Sequence, residues 1–227
     1  MVCDKNPQKI KKIFGEISGY YDKMNNFISL GTHYFIKKNA IKNLKIKQHS
    51  YILDICCGTG DFTEIIDKIK PGTKVIGLDN SVEMLKLAKA KNPNKVFIYG
   101  DCTNLLFKDN EFDYITVGFG LRNVENRKKA LSEIYRTLKT GGKFMHLDFG
   151  RHGFGGRCFD FFVPILVKIL GITYESYQYL IESKNEYPEP QELIKEFETM
   201  GFKLVKRQDF LFGAVSYQIF EKNYTIL

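Results

Sequence analysis

The sequence predicts an α/β fold built on a seven-stranded, mostly parallel sheet with helices on both faces. Three observations carry that expectation. Between residues 51 and 149, short β-rich runs alternate with segments of helical periodicity, which is the pattern of βαβ units. The first β-rich run turns into the first helix of this series through a glycine pair, Gly58 and Gly60. The chain then ends in two further β-rich runs flanking Gly213, suited to adding an antiparallel strand to a parallel sheet.

Before the sheet, residues 8–46 read as helices. Ile10, Ile13, Phe14 and Ile17 recur at helical spacing, and so do Phe35, Ile36, Ala40, Ile41 and Leu44. Residues 20–31 between them have a less periodic texture. Strands at 51–56, 74–78, 95–99 and 112–117 alternate with helices at 61–69 and 81–91, the second opened by the capping-type Ser81. A helix over 126–139 gathers Ala130, Leu131, Ile134, Tyr135 and Leu138 on one face, and Gly141-Gly142 turns it into a strand at 143–149. Residues 151–187 form an aromatic, mostly helical insertion. A helix at 190–200 and strands at 203–210 and 214–221 close the chain. With no linker-like stretch, the expectation is one domain over 1–227: a helical N-terminal cap (1–48), a core (49–150), a helical insertion or lid (151–187), and a C-terminal helix and hairpin (188–227).

A chain of 227 residues with 44% apolar content can bury the core of one such domain. The net charge of +8 points to anionic partners: nucleic acid, a membrane surface or an anionic ligand. Ten lysines precede Gln48, against Asp4, Glu16 and Asp22. A solvated lysine-rich surface and a membrane-facing patch both fit that bias. The five cysteines, Cys3, Cys56, Cys57, Cys102 and Cys158, are odd in number and lack C-x-x-C spacing, so neither a disulfide framework nor a metal site is expected. The N-terminal region has no secretory apolar stretch, and the apolar run at 161–172 is broken by Pro164 and Lys168 and too short to span a bilayer. The expected setting is a reducing cytoplasm.

Asp54-x-Cys56-x-Gly58-x-Gly60 places glycines where a strand becomes a helix, so that backbone can approach a ligand closely. A dinucleotide site favours a third glycine, where this chain has Thr63. Asp54 would repel a pyrophosphate, but it can organise the loop and attract the sulfonium and ammonium of S-adenosylmethionine, with Thr59 and Asp61 completing the loop. Asp79 ends the second strand, nineteen residues after Gly60, where a carboxylate can accept ribose hydroxyls. Asp101-Cys102 follows the third strand, where a carboxylate can accept from an adenine amino group or cap a helix. These acids lie at the strands' carboxyl edge, where ligands bind in open α/β sheets. The cofactor expectation is S-adenosylmethionine on a Rossmann-like, class I methyltransferase fold. The fourth strand is not followed by the Asn/Asp-Pro-Pro-aromatic loop of base-amine methylation, and no proline precedes a cysteine, so no nucleic-acid partner is expected.

Tyr21-Asp22-x-Met24-Asn25-x-x-Ile28-Ser29-x-Gly31-x-His33, Phe119-Gly120-Leu121-Arg122-Asn123-Val124, Arg136-x-Leu138-Lys139-x-Gly141-Gly142 and Tyr177-x-Tyr179-Leu180-x-x-Ser183 occur in that order. Together with Pro188 and Gly213-Ala214-Val215, they make the chain resemble the UbiE/MenG/COQ5 family of quinone-biosynthesis C-methyltransferases, from about Ile13 to Glu221. There are departures. Ile36 stands where the family usually has Trp, Thr140 where it has Pro, Asp148-Phe149-Gly150 where it has Glu-Phe-Ser, and Gly118 at an often-Ser position.

The resemblance implies cofactor contacts at Thr59, Asp79, Asp101, Cys102 and Gly118, the last two through backbone or shape. It implies C-methylation of a polyprenyl quinol, demethylmenaquinol or the benzoquinol of the ubiquinone route. A phenol of ordinary pKa, about 10, must lose its proton as the ring carbon attacks. Arg122 is assigned the positive potential that favours this, with Asn123 and Tyr21 positioning the hydroxyl or a water. Arg122 as a structural ion pair, Tyr21 as core and Asn123 as a turn former are the competing readings. His33 stands as a base or a structural histidine, and His146 reads as structural. The aromatic run at 154–172 is either a core helix pair or a lid for a polyprenyl tail meeting anionic lipid. Transient contact with an anionic membrane surface, peripheral at the inner face, is therefore expected, and a homodimer is left open. Methylation of another small phenol or polyketide, and a non-catalytic module binding S-adenosylmethionine, are the alternative functions.

Overall fold

The computed structural model describes residues 4–29, 31–150, 156, 161 and 174–223. Its sheet has seven strands: β1 (Tyr51–Ile55), β2 (Lys74–Asp79), β3 (Val96–Tyr99), β4 (Phe112–Gly118), β5 (Leu138–Phe149), β6 (Phe202–Phe210) and β7 (Val215–Lys222). The order is β3-β2-β1-β4-β5-β7-β6. β1 to β5 pair in parallel, and β7 runs antiparallel to both β5 and β6. The chain leaves β1 towards β2 and β3, then resumes on the other side as β4. This reversal opens a crevice at the carboxyl ends of β1 and β4, the switch point where ligands bind in such sheets.

The helices are α1 (Pro7–Ile17), α2 (Tyr21–Ile28), α3 (Thr32–Leu44), α4 (Asp61–Ile69), α5 (Val82–Lys91), α6 (Arg127–Thr137), α7 (Tyr174–Asn185) and α8 (Pro190–Thr199). Local chemistry sets several starts. Pro7 opens α1 while the Asn6 side chain accepts from Gln8 N at 2.9 Å, and Ser81 Oγ accepts from Met84 N at the head of α5.

Strand alternation divides the core. Leu53, Ile55, Ile115, Val117 and Phe144 point to one face, covered by α6 and α8 through Leu131, Ile134, Leu193 and Phe197. Ile52, Met145 and Leu147 point to the other, covered by α3 and α4 through Ile41, Leu44, Ile65 and Ile66. α3 is therefore a sheet-covering helix as well as part of the N-terminal cap. Ile36 lies buried in this second cluster.

Two elements depart from expectation. The helix expected over 126–139 stops at Thr137, because Leu138 pairs with Phe112 and begins β5. Residues 139–142 form an excursion before Lys143 pairs with Tyr114, and Gly141 at φ +73° turns it. The weakly periodic residues 20–31 contain α2, preceded by a 3-10 turn at Ser18–Tyr20. Of the insertion, α7 is described. The lid expected at 154–172 lies outside the described residues except for positions 156 and 161. Among the described residues, no helix is long and apolar enough to cross a membrane.

Candidate active site

A cavity of about 410 Å³ occupies the crevice at the carboxyl ends of β1 to β4, with α1 and Tyr21 contributing to its wall. The loop after β1 reaches it because Cys56, Gly58 and Gly60 all take left-handed backbone angles, φ +54°, +54° and +86°. Asp79 clamps this loop: Oδ2 accepts from Gly58 N at 2.8 Å, and Oδ1 accepts from Ser81 N at 2.9 Å. Burial pushes the Asp79 carboxyl above its ordinary pKa, against the pull of these backbone donors. A carboxylate offers about four lone-pair sites, so acceptor capacity remains beyond these backbone donors.

Asp101 and Cys102 also line the cavity, where Thr103 donates to Asp101 through both its backbone N and its hydroxyl at 2.8 Å. Gly118 and Gly58 lie on the same wall. A Cβ at Gly118 would stand 2.1 Å from Phe62 Cε2, so the Phe62 ring fills the space that a serine would need.

Asp54, Thr59 and Gly60 are not among the lining residues. Asp54 is wholly buried beneath the loop, accepting from Thr116 Oγ1 at 2.8 Å and Thr63 Oγ1 at 3.1 Å. Burial raises its pKa to about 7, although the two hydroxyls favour the charge. Its contacts tie β1, β4 and α4 together, a loop-organising position away from the cavity wall. Gly60 caps α4.

Thr59 belongs to an ion network that the sequence reading missed. Its hydroxyl donates to Asp22 Oδ1 at 2.7 Å, and Lys91 donates to Asp22 Oδ2 at 2.6 Å. Lys91 also lies 3.4 Å from Asp61, which pairs with the buried Lys37 at 2.7 Å. Burial opposes the Asp61 charge, but the two lysines outweigh it and hold the carboxyl at about 2. The network joins α2, α3 and α5 to the cofactor-side loop. Asp22 in the N-terminal motif was its visible signal.

Phe119, at φ +57°, turns β4 into a short 3-10 segment at Leu121–Asn123. Arg122 is buried there, outside the cavity lining. Its Nη1 donates to Phe119 O at 2.6 Å and to Asp148 Oδ1 at 2.9 Å, and its guanidinium lies 5.0 Å from the Phe149 ring centre. The ion-pair alternative is thus realised in the geometry. Among the described residues, Arg122 Nε and Asp148 Oδ2 are nonetheless buried without a hydrogen-bond partner. Leaving such groups unsatisfied costs about 1–3 kcal/mol each.

Asn123 and Tyr21 do line the cavity. Asn123 Oδ1 accepts from Tyr179 Oη at 2.8 Å, a contact absent from the sequence reading. His33 is not a lining residue, but its tautomer can be argued. Ser29 Oγ donates its one hydrogen to Asn25 O at 2.6 Å, so His33 Nδ1, 2.8 Å away, donates to that hydroxyl. Burial lowers the His33 pKa, helped by Lys37, leaving a neutral ring with its lone pair on Nε2. His146 is wholly buried between Gln218 and Tyr187, at 2.7 and 2.9 Å, in a structural setting. The Cys56 thiol is pushed well up by its hydrogen bond with Cys102 and by burial, and Cys57 by burial; neither is an activated nucleophile.

Residues 2–222 match the model of the ubiE/COQ5 methyltransferase family. The chain is 39% identical to a demethylmenaquinone methyltransferase of Staphylococcus carnosus over 220 residues, covering 92% of this chain and 91% of that relative. It is 34% identical to one from Anoxybacillus flavithermus, covering 95% and 96%. Among solved structures, a S-adenosylmethionine-dependent methyltransferase of Thermotoga maritima, described as a possible histamine N-methyltransferase, superposes with a TM-score of 0.69 at 22% identity, covering 93% and 99%. A Haloferax volcanii complex of the Trm112 activator with a methyltransferase gives 0.71 at 16% identity, covering 93% and 98%. At these identities the solved structures establish the shared fold.

Proposed function

Because the chain belongs to the ubiE/COQ5 methyltransferase family and is a S-adenosylmethionine-dependent methyltransferase, we propose that it methylates a ring carbon of demethylmenaquinol. The observation that carries this reading is the likeness, over at least 91% of both chains, to relatives named for that reaction.

The residues present fit the cofactor. The cavity falls within the roughly 300–1,000 Å³ of small-molecule sites and carries a buried carboxylate with free lone pairs, Asp79, suited to ribose hydroxyls. Asp101 and the backbone at Cys102 suit the adenine edge, while Gly58, with nothing within 4 Å of where a Cβ would stand, leaves its backbone open to close approach. When bound, S-adenosylmethionine supplies an electrophilic methyl on a positively charged sulfur. Thr59 and Asp54 act on this site indirectly, by holding the loop.

On the acceptor side, a phenol with a pKa near 10 needs help to ionise. Arg122 is a buried cation one residue from the cavity-lining Asn123, so it can supply positive potential from behind the wall, with Asp148 at 2.9 Å holding it in place. Asn123 and Tyr21 position the acceptor's hydroxyl from the cavity wall, while His33, bound to Ser29 and outside the lining, is read as structural. Incubation with labelled S-adenosylmethionine and reduced demethylmenaquinol, followed by mass spectrometry, should give a singly methylated ring. The benzoquinol of the ubiquinone route serves as the parallel acceptor. Methylation of neither sinks the acceptor assignment.

A polyprenyl substrate calls for contact with an anionic membrane surface, peripheral on the cytoplasmic side. Phe35 on α3 is 63% exposed, with exposed Lys38 and Lys42 following on the same helix, a combination that suits anionic headgroups. Flotation with anionic liposomes tests this contact; equal recovery with neutral and anionic lipid would reject it.

A further inference from the structure

The geometry points to Tyr179 as a positioning residue that holds the Asn123 carboxamide with Oδ1 turned to its own hydroxyl, leaving Nδ2 to donate a hydrogen bond to the acceptor's ring oxygen. This rests on the acceptor reading above. Asn123 Nδ2 donates to Phe119 O at 3.4 Å, and Asn123 Oδ1 receives the Tyr179 hydroxyl at 2.8 Å. A backbone carbonyl only accepts, so the end of the amide facing Phe119 must be the NH2. The flipped amide would set two acceptors against each other. With Oδ1 facing it, Tyr179 must donate.

The consequence is a polarity. The amide oxygen is turned to Tyr179 and one Nδ2 hydrogen is engaged by Phe119 O, so the hydrogen the amide can still offer is the second one on Nδ2. A fixed donor facing a ring oxygen favours phenolate over phenol, lowering the acceptor's pKa. Released from Tyr179, the carboxamide could rotate and present its oxygen, which would disfavour the phenolate.

Tyr179 is itself well held. It is buried on α7 and packs with Ile10 and Ile13 of α1. Ile10 in turn lines the cavity. One phenol thus links the first helix, the insertion's helix α7, and the turn carrying Arg122 and Asn123. Phenylalanine at 179 keeps that packing and removes only the hydroxyl, which makes the conservative variant informative.

The test compares wild type, Y179F, N123A and Y179F/N123A, with saturating S-adenosylmethionine, reduced demethylmenaquinol and pH varied from about 6 to 10 across the phenol range. Y179F should lower kcat roughly tenfold, the worth of one hydrogen bond, and move the acidic limb of the kcat profile upward by about half to one pH unit. Its affinity for S-adenosylmethionine, measured by calorimetry, should stay unchanged and certify the fold. On the N123A background, adding Y179F should change nothing further. A wild-type pH profile in Y179F, or effects that multiply in the double variant, would overturn the proposal and leave Tyr179 as packing. N123A with wild-type turnover overturns the acceptor role of Asn123 instead, and with it the role given to Tyr179.

Discussion

Replacing Asp148 with alanine strands a guanidinium in the protein interior. The Arg122 Nη1–Asp148 Oδ1 distance is 2.9 Å, and the two side chains are 6% and 0% exposed. A pair so buried differs in kind from Lys12–Glu16 on the surface of α1, at 3.9 Å and mostly exposed, which is worth about 0–1 kcal/mol. Removing one partner of a buried pair costs about 3–5 kcal/mol, because the remaining charge is uncompensated. In a chain of this size each kcal/mol lowers Tm by about 2–4 °C, so D148A should melt roughly 6–20 °C below wild type. Replacing both partners with apolar residues of similar volume, R122M/D148L, removes the stranded charge and should restore stability to within about 1 kcal/mol of wild type, or exceed it. The double variant should nevertheless lose methyl transfer, since the cation is gone. Urea unfolding followed by circular dichroism gives the stabilities, and the labelled-methyl assay gives turnover. D148A destabilised by less than about 1 kcal/mol would refute the reasoning, because the pair would then be solvated.

Other outcomes follow from the same geometry. Asp22→Ala removes a half-exposed ion pair, so stability should fall by no more than about 1 kcal/mol, while Thr59 loses its acceptor and calorimetric affinity for S-adenosylmethionine drops several-fold; unchanged affinity would make Asp22 a tether only. Gly118→Ser forces a side chain into the Phe62 ring and should cost about 1–3 kcal/mol, partly recovered by adding Phe62→Leu; a neutral single variant in urea unfolding would contradict this packing. Asp54, with a folded pKa of about 7 against an ordinary 3.8, binds more protons folded than unfolded between those values. Its contribution to stability therefore declines as pH rises from about 4 to 7, by up to about 1.4 kcal/mol per unit, and levels off above. Unfolding free energies of wild type and D54N measured from pH 5 to 8 should converge or cross with that slope; parallel curves would mean Asp54 titrates normally.

The parts of this protein legible in the sequence are those set within a few residues of a strand end. Gly58, Asp79, Asp101 and Gly118 each sit beside a strand terminus, and the parallel sheet brings those termini to one edge. Asp54 required more. Strand alternation puts it on the same face as Ile52, opposite Leu53 and Ile55, and that face is closed by α4. Its two hydroxyl partners, Thr63 and Thr116, come from the following helix and the neighbouring strand. Leu138 shows tertiary pairing overriding periodicity. It lies four residues after Ile134 and continues the apolar helix face, yet its ladder with Phe112 and its complete burial take it into β5.

The acceptor side resists such reading because its parts are distant in sequence. Tyr21 comes from α2, Asn123 from the turn after β4, Tyr179 from α7 and Asp148 from the end of β5. No local period connects them, and their relations appear only once the sheet, α1 and α7 are packed together. The same distinction accounts for where the chain can depart from its family's pattern. Gly118 replaces an often-Ser position because Phe62, on the following helix of another strand's crossover, occupies the volume. Asp148 keeps a carboxylate where the family usually has Glu, and its charge is matched at 2.9 Å to Arg122 in the turn after β4. Such departures are compensated in space, so the variants that probe them have to be made in pairs, Gly118 with Phe62 and Arg122 with Asp148, and the same holds for the contact of Asn123 with Tyr179. Single substitutions at these positions conflate the loss of a contact with the stranding of its partner; only the pairs separate the two.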